Sequence, residues 1–395
     1  MDPINNPYTP NAGSRPQALA GRDQELEQFR VLVGRLKRGA TEQSMVIRGL
    51  RGVGKTVLLN AFDDRAESEG FLTFYHEMTP DSSLVGEITR DAQAAMARLK
   101  LNARATKAMR EALAHLGTIK VVGPEGIELS VDLRAADEGT IARDLSELLL
   151  QLGRVAAEKS TGVVFLLDEV QFVKEVEYRS VITALHRATQ KNVPITIAAA
   201  GLPQIPRLTG EARSYAERLF SFPVITSLSA NDATAALVEP ARQQHVEYEP
   251  EAIDLALAWT GGYPFYIQQL GKHAWNLASR SPIGGEVIAA AIPAAQTALD
   301  SSIYQVRVQR ATEAERRYMR AMAELGSGPY RSGNVARKAG KSTAALSQIR
   351  QRLLDKGLVY ATEEYGHVDF TIPRFDEFLR RHMPYRAPKR KRATS

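Results

Sequence analysis

The sequence contains no cysteine, which excludes disulfide bonds, thiolate catalysis and cysteine-ligated metal sites. It has no uninterrupted apolar run of the ~18 to 20 residues that cross a bilayer, and its polar N-terminus lacks the basic and apolar regions of a secretory signal. No GxSxG or HExxH motif occurs. These absences predict a cytoplasmic protein without a membrane partner, and they give no support to serine hydrolase or metalloprotease functions.

The basic charge of the chain is concentrated at its C-terminal end. The 395 residues are 44% hydrophobic and 24% charged, as in globular proteins, and the length suits about two to three domains. Residues 374–395 contain eight Lys and Arg but only two acids, whereas the preceding residues carry equal numbers of both. We interpret the last ten residues either as a solvated end or as an arm that binds a polyanion.

Apolar spacing and turn residues divide the chain into successive parts. The predicted parts are an extended lead-in (1–17), an α/β domain (18–226) with an inserted helix and β-hairpin at about 101–138, a helical domain (227–310), a winged helix-turn-helix domain (311–385) and a basic tail (386–395). Alternating strands and helices predict a parallel sheet with helices on its faces. Three helices followed by a hairpin predict the winged helix.

A glycine-rich loop between a predicted strand and a predicted helix fits the pattern GxxxxGK[ST]. Its residues are Gly49, Leu50, Arg51, Gly52, Val53, Gly54, Lys55 and Thr56. Glycines allow a tight loop whose amide N–H groups point inward, and the helix N-terminus adds a positive partial charge. We therefore predict an ATP or ADP site in which Lys55 contacts phosphate oxygens and Thr56 is a ligand of Mg²⁺.

Two adjacent acids, Asp168 and Glu169, end the apolar stretch 163–167. A buried parallel strand would place them at the ligand-binding edge of the sheet. Asp168 is predicted to hold Mg²⁺ and Glu169 to activate the attacking water. The alternative is a pair of solvated acids. The pair favours ATP hydrolysis over transfer to a small molecule, which disfavours a small-molecule kinase.

Four motifs in order resemble the AAA+ and STAND branch of P-loop ATPases, in particular bacterial ATPases related to the origin-recognition initiators. They are the segment LAGRDQE at 19–25, the phosphate-binding loop, the DE strand and Gly262-Tyr263-Pro264. The resemblance implies an α/β P-loop NTPase domain with a helical lid and a C-terminal winged helix. It also implies that Gly21 and Arg22 lie beside the nucleotide base and that Pro264 belongs to the lid motif.

This sequence departs from the family pattern at two places. The stretch 194–203 ends without the Asn, Thr or Arg usual at the sensor-1 position, so sensing of the terminal phosphate from there is in question. No arginine follows Gly262 as in a sensor-2 lid, which favours the STAND-like arrangement.

Arg218 resembles the arginine finger that AAA+ ATPases present to a neighbouring subunit's nucleotide, which implies a nucleotide-dependent homo-oligomer. Arg213 is a competing candidate. The alternative for Arg218 is a surface arginine paired with Glu211 or Glu217.

The expected function is an ATP-binding and ATP-hydrolysing switch that couples its nucleotide state to a partner through the winged helix. Gln348 and Arg350 on a predicted helix favour double-stranded DNA, whereas Glu363 and Glu364 at the predicted wing tip favour a protein partner. The alternative function is a STAND-like DNA-binding or signalling regulator that holds its nucleotide structurally with negligible turnover.

Overall fold

The computed structural model describes residues 1–11, 13–99, 103–116, 118–122, 126–130, 138–205 and 216–385. The predicted basic tail lies outside these ranges, as do Arg213 and Glu211. Within the described residues, none of the helices combines the length and the apolarity needed to cross a membrane.

The elements follow one another as alternating strands and helices, then as helices, and finally as helices with a small sheet. The strands are β1 (Ser44–Arg48), β2 (Leu72–Glu77), β3 (Thr118–Val122), β4 (Gly126–Ser130), β5 (Val163–Asp168), β6 (Ile195–Gly201), β7 (Phe220–Ser221), β8 (Tyr330–Arg331), β9 (Val359–Ala361) and β10 (His367–Phe370). The helices of the first half are α1 (Asp23–Lys37), α2 (Lys55–Ser68), α3 (Leu84–Arg98), α4 (Ala103–His115), α5 (Glu138–Glu158), α6 (Glu175–Gln190) and α7 (Ala216–Leu219). Those of the second half are α8 (Ala230–Arg242), α9 (Pro250–Thr260), α10 (Pro264–Leu277), α11 (Gly285–Leu299), α12 (Val306–Arg310), α13 (Glu313–Ala323), α14 (Ser332–Lys338), α15 (Thr343–Asp355) and α16 (Phe375–His382).

A parallel sheet forms the centre of the N-terminal domain and confirms the predicted α/β fold. In the described part of the chain it has five strands in the order β2-β5-β6-β1-β7, and every neighbouring pair is parallel. Strand β5 is buried along its whole length. Val164 and Leu166 face the core under α1 and α2, whereas Val163 and Phe165 face the core under α3, α5 and α6. Burial on both faces explains why this strand is an unbroken apolar run.

The segment at about 101–138 contains the predicted helix and hairpin. Helix α4 precedes β3 and β4, which pair antiparallel from Thr118 opposite Ser130 to Val122 opposite Gly126. The short edge strand β7 was not predicted, because two residues carry no detectable alternation.

The helical lid packs around its own apolar core, and the N-terminal lead-in is part of that core. Tyr8 is 2% exposed; its hydroxyl lies 2.8 Å from the Tyr248 hydroxyl and donates to the Leu237 carbonyl at 2.5 Å. The Trp275 indole donates to the Asp2 carbonyl at 2.9 Å. The lead-in is therefore fixed along the lid.

Helices α13, α14 and α15 precede the antiparallel hairpin of β9 and β10, in the order expected for a winged helix. Leu346, Ile349 and Leu353 of α15 are buried against the rest of this domain. Strand β8 adds a third strand to this hairpin, in the order β8-β10-β9. Helix α16 follows the hairpin and is the last helix of the described residues. A π-helical segment, Asp300–Gln305, and α12 join this C-terminal domain to the lid.

The C-terminal domain packs directly against the lid and the phosphate-binding loop. The hydroxyls of Tyr266 and Tyr304 lie 2.6 Å apart, and each is within hydrogen-bond distance of the Pro373 carbonyl, at 2.7 and 3.0 Å. The Arg51 amide donates to the Thr371 carbonyl at 3.0 Å. One continuous apolar cluster runs from the sheet domain into the C-terminal domain, so both domains meet at the loop.

Candidate nucleotide-binding site

The predicted phosphate-binding loop connects β1 to α2, as the motif requires. Gly52 has a φ of 87° and Gly54 a φ of 97°, a backbone region that residues with a Cβ rarely adopt. A Cβ on Gly52 would also lie 3.1 Å from the Tyr263 ring. Helix α2 begins at Lys55, so its free N–H groups and the positive end of its dipole open at the loop.

The Lys55 ammonium group is buried at the centre of this loop. The side chain is 6% exposed and donates to the Gly49 carbonyl at 3.0 Å and to the Leu50 carbonyl at 2.8 Å. Burial lowers the pKa of Lys55 to about 8, and the nearby carboxylates of Glu169 and Asp168 oppose this shift. An anion bound in the loop would stabilise the ammonium form, because its negative charge compensates for the hydration that burial removes.

Thr56 and Asp168, the two predicted Mg²⁺ ligands, are in direct contact. The Thr56 hydroxyl donates to Asp168 Oδ2 at 2.5 Å, and the Glu169 amide donates to Asp168 Oδ1 at 2.8 Å. Burial raises the pKa of Asp168, while the Thr56 hydrogen bond and the Lys55 charge act in the opposite direction. A carboxylate and a hydroxyl are hard oxygen donors, and Mg²⁺ takes one or two such ligands together with phosphates and waters. The pair therefore fits this ion.

Both carboxylate oxygens of Glu169 are engaged by neighbouring side chains. Oε1 pairs with Arg51 Nη1 at 2.7 Å, and Oε2 accepts a hydrogen bond from Gln171 Nε2. Gln171 Oε1 in turn accepts from the Leu202 amide at 3.2 Å, just beyond the end of β6. Gln171 thus supplies a polar side chain beside the position where the sequence lacks a sensor-1 residue. Glu169 also has a φ of 53°, the kind of backbone strain that clusters at functional sites.

Arg51, Lys55, Thr56 and Glu169 line one cavity of about 480 Å³, a volume within the usual range of ligand sites. Its wall combines residues of the lead-in, the loop, the lid, the π-helical segment and the C-terminal domain, including Thr9, Asn11, Gly13, Leu19, Ala20, Arg22, residues 51–57, Glu169, residues 263–266, Gln268, Ser302, Ile303, Arg307 and Ile372. The cavity is therefore closed by parts of the chain that are far apart in sequence.

Of the two residues predicted beside the nucleotide base, Arg22 lines the cavity and Gly21 does not. One guanidinium nitrogen of Arg22 donates to the Val53 carbonyl at 3.0 Å and the Thr226 carbonyl at 2.8 Å. Arg22 thus ties the loop to the start of the lid. Gly21 lies instead against Asp232 of α8. Pro264 lines the cavity, next to Tyr263, whose hydroxyl donates to the Arg51 carbonyl.

Other predicted residues lie behind the cavity or away from it. Gly49 and Leu50 provide the two carbonyls that hold Lys55, and Asp168 lies behind Thr56. Arg218 is exposed on the short helix α7 and does not line the cavity.

Sequence reasoning missed Gln171, Arg307, Ile372 and the lead-in as parts of the site. Gln171 is two residues after Glu169, so its position near the site could have been predicted from the sequence. The others reach the cavity only through the folding of the lid and the C-terminal domain, which no local pattern reports.

Comparison with protein families agrees with this geometry. Residues 18–198 match the model of the AAA ATPase domain. The chain contains an AAA ATPase domain. Residues 301–379 match a second model, described as a domain of unknown function (DUF8462), which overlaps the predicted winged helix. A search of curated proteins gave no match.

Three solved structures align with nearly the whole chain. A Walker-type ATPase of Pyrococcus abyssi aligns with a TM-score of 0.56 and 13% identity, covering 93% of this chain and 97% of that one. Cdc6 of Pyrobaculum aerophilum aligns with a TM-score of 0.47 and 13% identity, covering 97% and 99%. Orc1 of Aeropyrum pernix, solved in complex with DNA, aligns with a TM-score of 0.44 and 16% identity, covering 93% and 94%. The first of these supports the predicted fold over nearly the whole chain.

Replacement of Lys55 by alanine tests the loop. We expect Lys55→Ala to weaken ATP binding about ten- to a hundredfold, because a charge-assisted contact contributes ~1.5 to 3 kcal/mol. Titration with a fluorescent nucleotide measures the loss, and Lys191→Ala, at an exposed lysine after α6, is the matched control. Equal affinities in both variants would contradict the assignment of the loop.

Proposed function

We propose that this chain is an ATP-hydrolysing switch that couples its nucleotide state to the position of its C-terminal domain on double-stranded DNA. The observation that carries the proposal is the single cavity in which the phosphate-binding loop, Glu169, the lid and Ile372 of the C-terminal domain meet. A ligand in this cavity contacts every part that the switch must coordinate.

Binding follows from the loop and its buried cation. The N–H groups at the start of α2 and the Lys55 ammonium face a site that suits the phosphates of ATP or ADP. The Lys55 contacts to Gly49 and Leu50 are neutral carbonyl contacts, and phosphate oxygens are stronger partners for a buried ammonium. Thr56 and Asp168 would hold Mg²⁺, which neutralises phosphate charge when bound.

Hydrolysis requires that Glu169 act on water. A carboxylate within reach of the attacking water can orient it and accept its proton. In this structure the carboxylate is held by Arg51 and Gln171, so Arg51 has to release it first. A phosphate in the cavity competes for the Arg51 guanidinium, because Arg51 lines the same cavity.

The same ion pair favours the second candidate function, a regulator with slow turnover. Arg51 is bound to Glu169 through its side chain and to Thr371 of the C-terminal domain through its amide. A conformation in which the base is paired and the C-terminal domain is docked hydrolyses ATP slowly and holds nucleotide structurally.

DNA is the partner that the surface of α15 supports. Ser347, Gln348, Gln351 and Arg352 are exposed on this helix and suit base edges and phosphates. Arg350, predicted to face DNA, is instead half-buried, and its Nε atom is buried without a partner.

The acidic wing tip is turned toward the sheet domain in this conformation. Glu363 lies 3.6 Å from Arg48 at the end of β1. The Glu363 side chain is 94% exposed, so this contact is a surface pair and the acidic wing tip still favours a protein partner over DNA. A protein partner remains the alternative occupant of the winged helix.

Arg218 is proposed as a finger that completes the site of a neighbouring subunit, since it is exposed and lies away from its own cavity. A fixed guanidinium stabilises charge on the transferring phosphoryl group. The proposal implies a homo-oligomer that forms in the presence of ATP.

Replacement of Glu169 by glutamine separates binding from turnover. Glu169→Gln should retain ATP and Mg²⁺ binding and lose hydrolysis by roughly 10²-fold or more, because an amide cannot accept the proton. Phosphate release and nucleotide retention are measured on the same sample, with Glu158→Gln, an exposed acid at the end of α5, as the control. Hydrolysis of ATP at the parent rate would show that a residue other than Glu169 activates the attacking water.

The finger predicts that specific ATPase activity rises with protein concentration, because each site is completed by a neighbour. Arg218→Ala should lower this activity by roughly 10³-fold without loss of nucleotide affinity. Steady-state rates over a concentration series measure both effects. Activity that is independent of concentration, or unchanged in the variant, would return Arg218 to a surface role.

DNA binding is tested on the exposed face of α15. Gln348→Ala and Arg352→Ala should weaken binding to a selected duplex more than to random DNA, because a base-edge contact contributes ~1 to 3 kcal/mol of discrimination. Arg242→Ala, at an exposed arginine of the lid helix α8, is the charge-matched control. Anisotropy titrations across a salt series measure these effects.

The tail is compared in the same titrations. Deletion of residues 387–395 removes four basic residues and should make the slope of log affinity against log salt shallower by up to about four units, at ~0.9 per phosphate contacted. An absence of duplex binding by the full chain at low salt would assign the winged helix to a protein partner.

A further inference from the structure

The wall of the nucleotide cavity contains an arginine that lies outside every motif of the sequence. Arg307 is on α12, directly after the π-helical segment Asp300–Gln305, and its side chain lines the cavity with Arg51, Lys55 and Glu169. Segments of π-helix occur frequently at functional sites. A cation from the junction between the lid and the C-terminal domain therefore faces the same space as the phosphate-binding loop.

The Arg307 guanidinium is poorly satisfied by its surroundings. Among the described residues it donates one hydrogen bond, to the Ile303 carbonyl of its own helical turn at 3.2 Å, although the group carries five N–H donors. Across the part of the chain that the structure describes, no carboxylate lies within ion-pair distance of it. Burial, followed by the charges of Arg51 and Arg310, lowers the pKa of Arg307 to about 10. Each of these features would be relieved by an anion.

The position of Arg307 indicates which end of the cavity it faces. Its charge interacts with those of Arg51 and Glu169, and Glu169 is the residue proposed to act at the terminal phosphate. Arg51 belongs to the phosphate-binding loop, whose residues 51–57 line the same cavity. Arg307 is therefore expected at the phosphate end, on the side where hydrolysis would occur.

The segment that carries Arg307 is fixed to the C-terminal domain. Tyr304, one turn before it, stacks against Phe375 at 5.6 Å between ring centroids and shares the Pro373 carbonyl with Tyr266. A force on Arg307 is therefore transmitted to the C-terminal domain through a short, packed connection.

We infer that Arg307 binds the terminal phosphate of ATP and distinguishes ATP from ADP within its own chain. The inference rests on the proposed function, since it requires nucleotide in the cavity. Arg307 would supply, from the junction to the C-terminal domain, the cation that this sequence lacks after Gly262 in the lid.

The test compares affinities for two nucleotides in the full chain. Fluorescent ADP and a non-hydrolysable ATP analogue are titrated, with Mg²⁺, into the parent protein, Arg307→Gln and Arg307→Lys. Arg310→Gln, three residues further on the same helix at an exposed position, is the matched control. Thermal unfolding without nucleotide confirms that each variant is folded.

We expect Arg307→Gln to lose about ten- to a hundredfold in affinity for the ATP analogue, as for a charge-assisted phosphate contact, while its ADP affinity stays within about twofold of the parent value. Arg307→Lys should recover part of the ATP preference, because it retains the charge but not the planar fork. Arg310→Gln should leave both affinities unchanged.

Two results with Arg307→Gln would overturn the inference. Equal losses for ADP and the ATP analogue would show that Arg307 supports the cavity without binding the terminal phosphate, and unchanged affinities for both nucleotides would remove it from the site. A parent protein that binds ADP and the analogue equally would also contradict it, although the proposed nucleotide site would stand. Binding of neither nucleotide by the parent protein would instead overturn the proposed function itself.

Discussion

The ion pair between Arg51 and Glu169 connects the parts of this molecule that a nucleotide has to coordinate. Arg51 belongs to the phosphate-binding loop, Glu169 follows the buried strand β5, and the Arg51 amide donates to Thr371 of the C-terminal domain. The side chains are 20% and 16% exposed, so removal of either partner leaves a poorly solvated charge. The pair therefore holds the loop, the candidate base and the docked domain in one arrangement, and a phosphate that competes for Arg51 acts on all three.

The parts of the site that sequence analysis could predict are those whose partners are close in sequence or fixed by the sheet. The loop from Gly49 to Thr56 is one local turn, and its strand and helix were visible from apolar spacing. Asp168 reaches Thr56 because β5 ends and α2 begins at the carboxyl edge of the same parallel sheet, which the alternation of strands and helices implies. The predicted fold is confirmed, and this fold brings Thr56 and Asp168 into contact.

Contacts that depend on the packing of whole domains could not be predicted. Arg307 reaches the cavity because Tyr304 packs against α16, and the lead-in reaches it because Tyr8 is buried in the lid. In each case one buried aromatic side chain fixes the position of the segment. A single aromatic residue does not form a periodic pattern in the sequence, so its contact could not be predicted. The half-buried position of Arg350 has a similar cause: it lies near Tyr318 of α13, which the pattern of α15 alone does not reveal.

The contact energies in the cavity limit how far a nucleotide can shift the equilibrium between docked and released positions of the C-terminal domain. A ligand changes the position of the C-terminal domain only by the difference in its affinity for the docked and released conformations. Moving that equilibrium from 1:99 to 99:1 takes ~5.5 kcal/mol, and each charge-assisted phosphate contact contributes ~1.5 to 3 kcal/mol. Under our proposal, two guanidinium groups, those of Arg51 and Arg307, would bind phosphate in one conformation only and would supply about the required amount. The Lys55 ammonium donates to two carbonyls of its own loop, so it would bind phosphate in either conformation, whereas Arg51 is also bound to Thr371 of the C-terminal domain. We therefore propose that the two arginines at the border of the C-terminal domain control its position and that Lys55 sets the nucleotide affinity.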